Sequence, residues 1–189
     1  MKKIFCLLIL FLCVTFGYAH CLGNIGDFEG GNLIESKAKL KADEKALQTK
    51  LCDKPCPDFA LTDVEGKLWT NQNIKGKVTL IQVWHVYCEA CINEIVPLNE
   101  LTKKYPGANF LAVTFNTSQQ INSVLAKNHS LFRQLPDAVK FISKIGVTFT
   151  PTSLLVDKAG HIRYVINGGD KKQIKTLDKK LKMLSKETL

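Results

Sequence analysis

The sequence predicts an α/β domain: a mixed central β-sheet flanked by helices, with a β-hairpin at its N-terminal end. Three observations lead there. Two apolar, β-branched and aromatic runs, Val78-Thr79-Leu80-Ile81-Gln82-Val83-Trp84 and Asn109-Phe110-Leu111-Ala112-Val113-Thr114-Phe115, read as buried strands with a helix-like stretch between them. Further on, residues 152–157 and 161–167 flank Lys158-Ala159-Gly160 as strand, turn and strand, and a Lys-rich helix closes the chain. Strand–helix–strand followed by an antiparallel hairpin and a helix is the order of a mixed sheet with helices packed on it.

The elements follow in chain order. Met1-Lys2-Lys3, an apolar stretch of 13 residues from Ile4 to Phe16 and then Gly17-Tyr18-Ala19 have the form of a secretory signal cleaved after Ala19. The apolar stretch falls short of the roughly 20 residues a membrane span needs. Retention as an anchor, or lipidation at Cys21, is the alternative, although His20 is a poor residue to precede a lipidated cysteine. Residues 20–51 form an N-terminal extension. It is Gly-rich up to Asn32, then helix-forming from 33 to 50, either packed on the domain or acting as a spacer.

The thiol-bearing domain is expected over 52–189. Phe59-Ala60-Leu61-Thr62 and Lys67-Leu68-Trp69 around Val64-Glu65-Gly66 predict the hairpin, and residues 77–84 the central strand. A continuous helix is expected over 89–105, closed by Pro106-Gly107, with Ile92, Ile95, Leu98 and Leu101 on one face. Ser118 is expected to cap a helix reaching about His129, and Asp137 to start another that Gly146 ends.

The chain carries a formal net charge of +9. Much of it lies in the tail, where Lys171, Lys172, Lys175, Lys179, Lys180, Lys182 and Lys186 interleave with Ile174, Leu177, Leu181 and Leu184. That spacing predicts an amphipathic helix with a solvated basic face. Without interleaved aromatic platforms the charge does not point to nucleic acid. It leaves a weak attraction to anionic membrane surfaces.

After the expected cleavage five cysteines remain: Cys21, Cys52, Cys56, Cys88 and Cys91. Export places them where disulfides persist, and the odd number leaves at least one unpaired, lipidated or joined to another chain. Tyr87-Cys88-Glu89-Ala90-Cys91 stands at the seam between the central strand and the following helix. A cysteine at a helix N-terminus meets unpaired N–H groups that favour its thiolate, the species that attacks disulfides. The second cysteine, one turn on, is placed to resolve a mixed disulfide. A zinc site would need four ligands, and no second Cys/His pair stands at finger-like spacing. Heme attachment would need a histidine where Ile92 stands. No cofactor or metal is therefore expected, and Cys88–Cys91 is expected to be a redox-active disulfide.

Glu94 follows Cys91 by three residues on the same helix face. Partly buried among Ile92 and Ile95, such a carboxyl would have its pKa raised and could exchange the proton of Cys91; the bland reading is a surface glutamate. Phe149-Thr150-Pro151-Thr152 precedes a strand, and a proline there is able to adopt a cis peptide. Cys52 and Cys56 form a candidate auxiliary disulfide, since a suitable turn brings residues at that offset together. Two free thiols, or a bond from either one to Cys21, are the competing readings.

Taken together, Trp84-His85-Val86-Tyr87-Cys88-Glu89-Ala90-Cys91, Pro57-Asp58-Phe59 upstream and Gly146-Val147-Thr148-Phe149-Thr150-Pro151-Thr152 with Asp157 and Gly160 downstream resemble the thioredoxin fold. More narrowly, they resemble its exported TlpA/ResA/CcmG branch of thiol:disulfide oxidoreductases. The resemblance runs from about Cys52 to Leu184. It implies that Cys88 attacks, Cys91 resolves, Pro151 is a cis-proline facing them, and Glu94 is the functional glutamate of ResA-like proteins. It further implies periplasmic or other extracytoplasmic work: keeping protein thiols such as apocytochrome c heme-site cysteines reduced, with electrons from a membrane thiol transporter. An oxidant or isomerase, or a copper chaperone using Cys88 and Cys91 as ligands, is the alternative. The chain departs from the pattern at Tyr87, where tryptophan is usual, at His85, where a small residue is usual, at Pro97, one position late, and in adding Cys52 and Cys56.

Overall fold

The computed structural model describes residues 31–187, with side chains from Lys37 onward. The expected signal segment, the readings placed on Cys21 and residues 20–30 of the extension lie outside the described residues. Residues 40–189 form one compact unit, separate from what precedes it. That unit contains the latter part of helix α1 (Gly31–Leu51) and every strand among the described residues.

Six strands form the main sheet: β1 (Lys54–Pro55), β4 (Thr79–Val83), β5 (Asn109–Val113), β6 (Arg133–Leu135), β7 (Thr152–Val156) and β8 (His161–Asn167), in the order β1-β8-β7-β4-β5-β6. β4, β5 and β6 are mutually parallel, and β7, β8 and β1 continue the sheet antiparallel. β2 (Ala60–Thr62) and β3 (Leu68–Thr70) form the separate antiparallel hairpin. The helices are α2 (Asn71–Ile74), α3 (Glu89–Asn93), α4 (Ile95–Lys104), α5 (Ser118–Leu125), α6 (Val139–Ile145) and α7 (Lys171–Lys186). This is the expected mixed sheet flanked by helices.

Side chains alternate across a strand, so β4 supplies two cores at once. Ile81 and Val83 face a cluster with Leu111, Val113, Leu154 and Val156, closed by Leu47 and Leu51 of α1, Phe59, Trp69 and Phe141. Leu80 and Trp84 face the opposite cluster with Phe110, Leu155, Leu98 and Leu101, closed by Leu177, Leu181 and Leu184 of α7. The Lys-rich helix thus buries its leucine stripe as its periodicity predicts, and Asp170 caps its start by accepting the N–H groups of Lys172 and Gln173.

The latter part of α1 packs on β8 rather than acting as a spacer. Gln48 donates to the Val165 carbonyl at 3.0 Å, and Glu44 accepts the Asn167 N–H at 2.8 Å.

Three local expectations need correction. The helix expected over 89–105 is two helices, joined at Glu94 with φ −91° and ψ −4°. Pro97 explains the break. It has no N–H for the Asn93 carbonyl, and it is tolerated only in a helix's first turn, where restarting at Ile95 puts it. Thr117, not Ser118, caps α5 in a capping box with Gln120, and the helix ends at Leu125, where Asn128 donates its amide to the Val124 carbonyl. α6 starts after Asp137, whose φ of 52° and N–H bond to the Asn116 carbonyl keep it outside the helix; Gly146, at φ 78°, ends α6 as expected. β1, β6 and α2 carry no period that would reveal them, being two to four residues long.

Candidate active site

The site is assembled where β4 and β5 end. Past Trp84 the chain leaves the sheet, and a buried asparagine from the β5–α5 loop holds it. Asn116 Oδ1 accepts the Val86 N–H at 3.1 Å and the Thr114 hydroxyl at 2.9 Å. His85 Nδ1 accepts the Tyr87 N–H at 3.2 Å, its carbonyl accepts the Cys88 N–H at 3.0 Å, and its ring lies 5.6 Å from that of Phe115. Tyr87 is left exposed beside the first cysteine.

Cys88 is the N-cap of α3, and its Sγ accepts the Cys91 N–H at 3.2 Å. A backbone donor aimed at this sulfur favours its thiolate. The two sulfurs are joined in a disulfide, with the Cα atoms 5.2 Å apart. Exposure separates their roles: Cys88 retains 8% and Cys91 2%, so an incoming partner meets Cys88 first.

Glu94, at the junction of α3 and α4, is only 1% exposed. Burial alone pushes its pKa up from the ordinary 4.5 to about 8. Its Oε1 accepts a hydrogen bond from Gln82 Nε2, while Oε2 is buried without a partner. The surface-glutamate reading is therefore excluded. The Thr150–Pro151 peptide is cis, as expected. Pairing of Val83 with Thr152 sets Pro151 level with Trp84, at the end of the sheet from which the Cys88 loop departs. Gly169 joins the pieces: a Cβ there would run into Glu94 Oε2 and lie 3.1 Å from Pro151 Cγ.

The second cysteine pair does not form the expected auxiliary disulfide. Cys52 and Cys56 are both free thiols. Asp53, at φ 61°, turns the chain onto β8, and its N–H bonds to the Ile162 carbonyl at 2.7 Å. β1 then runs extended until the Cys56 N–H reaches the Gly160 carbonyl at 2.9 Å. Extended residues advance about 3.3 Å each, whereas a disulfide needs a close turn. Cys56 is buried in the α1-side core, which pushes its thiol up to about 12. Cys52 packs at the edge of that core and is also raised, chiefly by burial and then by Asp53.

Three residues of this site were not singled out from the sequence: Gln82, Asn116 and Gly169. Gln82 had a readable signal, since a lone amide inside a fully buried strand costs energy unless something buried receives it. Asn116 and Gly169 lie in loops whose partners are distant in sequence. Among the described residues, no group of three or more His, Cys, Asp or Glu side chains is gathered to hold a metal ion.

Comparison with known proteins agrees with this geometry. The family model described as Redoxin matches residues 52–181. The thiol-disulfide oxidoreductase ResA of Bacillus anthracis is 30% identical over 147 residues, covering 74% of this chain and 82% of that protein. The thiol:disulfide interchange protein DsbE of Vibrio cholerae is 32% identical over 127 residues, covering 65% of this chain and 68% of its own length. Among solved structures, a thioredoxin-family thiol:disulfide interchange protein from Chlorobium tepidum superposes with a TM-score of 0.61 at 21% identity, over 69% of this chain and 95% of that one. At that identity the superposition speaks for the thioredoxin-like fold.

Proposed function

The chain belongs to the Redoxin family and is a thiol:disulfide oxidoreductase of thioredoxin-like fold; from that premise we propose that it is an extracytoplasmic reductase of protein disulfides. The observation that carries the site assignment is the asymmetry of the two sulfurs. Cys88 is the more exposed and accepts a backbone N–H, whereas Cys91 is buried behind it.

In the reduced enzyme the Cys88 thiolate attacks one sulfur of a substrate disulfide. The substrate S–S bond breaks, a Cys88–substrate disulfide forms, and the departing substrate thiolate takes a proton. Cys91 then gives its proton to the Glu94 carboxylate and attacks the Cys88 sulfur. The Cys88–Cys91 bond forms, the second substrate thiolate leaves, and two electrons have passed from the enzyme dithiol to the substrate. Burial lifts the Glu94 carboxyl from the ordinary 4.5 to about 8, toward the thiol range, which narrows the free-energy gap for this proton exchange. Pro151 lines the site beside Glu94, where the substrate backbone is expected to lie.

Reduction is the favoured direction because the dipeptide between the cysteines holds Glu89, whose exposed carboxylate opposes a thiolate at Cys88. His85 does not offset it through Nδ1, which is occupied by the Tyr87 N–H. Strong oxidants of this chemistry owe their potential to a stabilised reduced form. The relatives named ResA and DsbE, with the signal-like N-terminus, support work in the periplasm or an equivalent compartment. Heme-site cysteines of apocytochrome c are the proposed substrates and a membrane thiol transporter the proposed electron donor.

Equilibration of the Cys88–Cys91 couple with a glutathione redox buffer tests the direction. The expected potential is nearer the roughly −270 mV of thioredoxin than the roughly −120 mV of DsbA. A couple as oxidising as the latter would promote the oxidant or isomerase reading. An oxidised peptide of the pattern Cys-x-x-Cys-His, reduced no faster than a generic disulfide, would remove the cytochrome substrate and leave the chemistry.

A further inference from the structure

We infer that Gln82 and Gly169 are positioning residues for Glu94: the Gln82 amide donates to Oε1, and Gly169 leaves the room that Oε2 occupies, so that together they hold the carboxyl in its buried place. The inference rests on Glu94 being the proton partner of Cys91.

Gln82 is the fourth of the five residues of β4, 5% exposed, with Ile81 and Val83 on either side along the strand. Its place on the same face as Leu80 and Trp84 turns it toward the cluster that contains both active-site cysteines. It also lines a small cavity with Trp84 and Cys91, so a single side chain borders the resolving cysteine and holds the carboxyl. The Gln82 N–H points at a lone pair of Oε1, a contact that favours the ionised carboxyl. Oε2 is buried without a hydrogen-bond partner.

Glycine is required at 169 for space rather than conformation. Gly168 has φ 91°, whereas Gly169 is not in the left-handed region. A Cβ at 169 would run into Oε2 and lie 2.8 Å from Cδ of Glu94, closer than real contacts allow. Any side chain here must push the carboxyl out or move the backbone.

The surrounding elements add no competing charge. β4 offers Gln82, the strand entry before β7 offers Pro151, and the α3 turn offers Cys91. Asp170, next to Gly169, directs its carboxylate to the N–H groups of Lys172 and Gln173. Burial alone accounts for the raised Glu94 pKa.

The test is a carboxyl-carbon NMR titration of Glu94 in the oxidised, full-length protein, the signal being assigned by its loss in Glu94→Gln. Gln82→Met keeps the side-chain volume and removes the donor, so the ionised form loses its one hydrogen bond and the midpoint should rise by about one to two units. Gln82→Asn, which withdraws the amide by one methylene, should raise it too and serves if the Met variant folds poorly. Gly169→Ala should lower the midpoint by driving the carboxyl toward water. The pH profile of disulfide exchange should move with the midpoint in each variant. Unchanged midpoints in both Gln82 variants, or in Gly169→Ala, would overturn the assignment. An exchange profile indifferent to Glu94→Gln would instead overturn the proton-partner reading, while the carbon titration would still report whether Gln82 holds the carboxyl.

Discussion

Cys88 and Cys91, and Cys52 and Cys56, are two close-spaced cysteine pairs in one chain, and they have opposite fates. The backbone between them makes the difference. From Cys88 the chain enters a helix at once, which folds Cys91 back onto its own N-cap, Cα to Cα 5.2 Å. From Cys52 it turns at Asp53 and then pairs as β1 with β8, so extension carries Cys56 away into the core. The surroundings complete the contrast. Cys88 has a backbone donor and an opening to solvent, whereas Cys56 has burial and a thiol near 12. Spacing nominates a pair; the hydrogen bonds of the intervening residues decide whether the sulfurs meet.

The largest expected effect tests the first pair. Cys88→Ser should abolish reduction of insulin, and Cys91→Ala should accumulate mixed disulfides through Cys88, visible as thiol-labile adducts on non-reducing gels. Reduction surviving in the Cys88 variant would make Cys91 the attacker and reverse the roles assigned here.

Next comes the carboxyl that separates the two environments. The folded chain holds Glu94 at about 8 against an ordinary 4.5, so the folded state binds the extra proton. The sign follows: this group costs no stability below about 4.5, costs progressively more as pH rises toward about 8, and levels off above it. The plateau cost is on the order of 4–5 kcal/mol. Glu94→Gln should therefore be markedly more stable than the parent at pH 9 and nearly equal at pH 4, as read by denaturant titration of the oxidised proteins. Parallel stability curves across that range would show that Glu94 ionises freely in the fold.

The second pair should give smaller changes. Cys56→Ala is expected to lose about 1–2 kcal/mol of stability through the cavity it leaves, with the active-site potential unchanged. Cys52→Ser, at the edge of the same core, should stay within about 0.5 kcal/mol. In oxidised protein, alkylation should label Cys52 slowly and Cys56 only on unfolding, because both thiols are raised and Cys56 is buried. A peptide joining Cys52 to Cys56 in non-reduced digests would erase the contrast between the pairs.

The sequence by itself determined the mixed sheet, its hairpins, the amphipathic closing helix and the place of Cys88, Cys91 and Pro151, because each is written in local signals. Period-two and period-3.6 patterns, a cysteine pair at a strand–helix seam and a proline before a strand need no knowledge of distant residues. It nominated Glu94 but could not separate a buried carboxyl from a surface one, since burial depends on what the rest of the chain lays over it. Pro97 was visible as a departure, yet its consequence, a helix broken at Glu94, emerged only with the backbone in place. Tertiary structure alone brought together Gln82, Glu94, Pro151 and Gly169, residues up to 87 apart in the chain. It alone kept Cys52 from Cys56, through the pairing of β1 with a strand about a hundred residues later. Secondary structure is selected by neighbours along the chain, whereas a buried charge or a free thiol is selected by neighbours across it, and only the packed sheet supplies those.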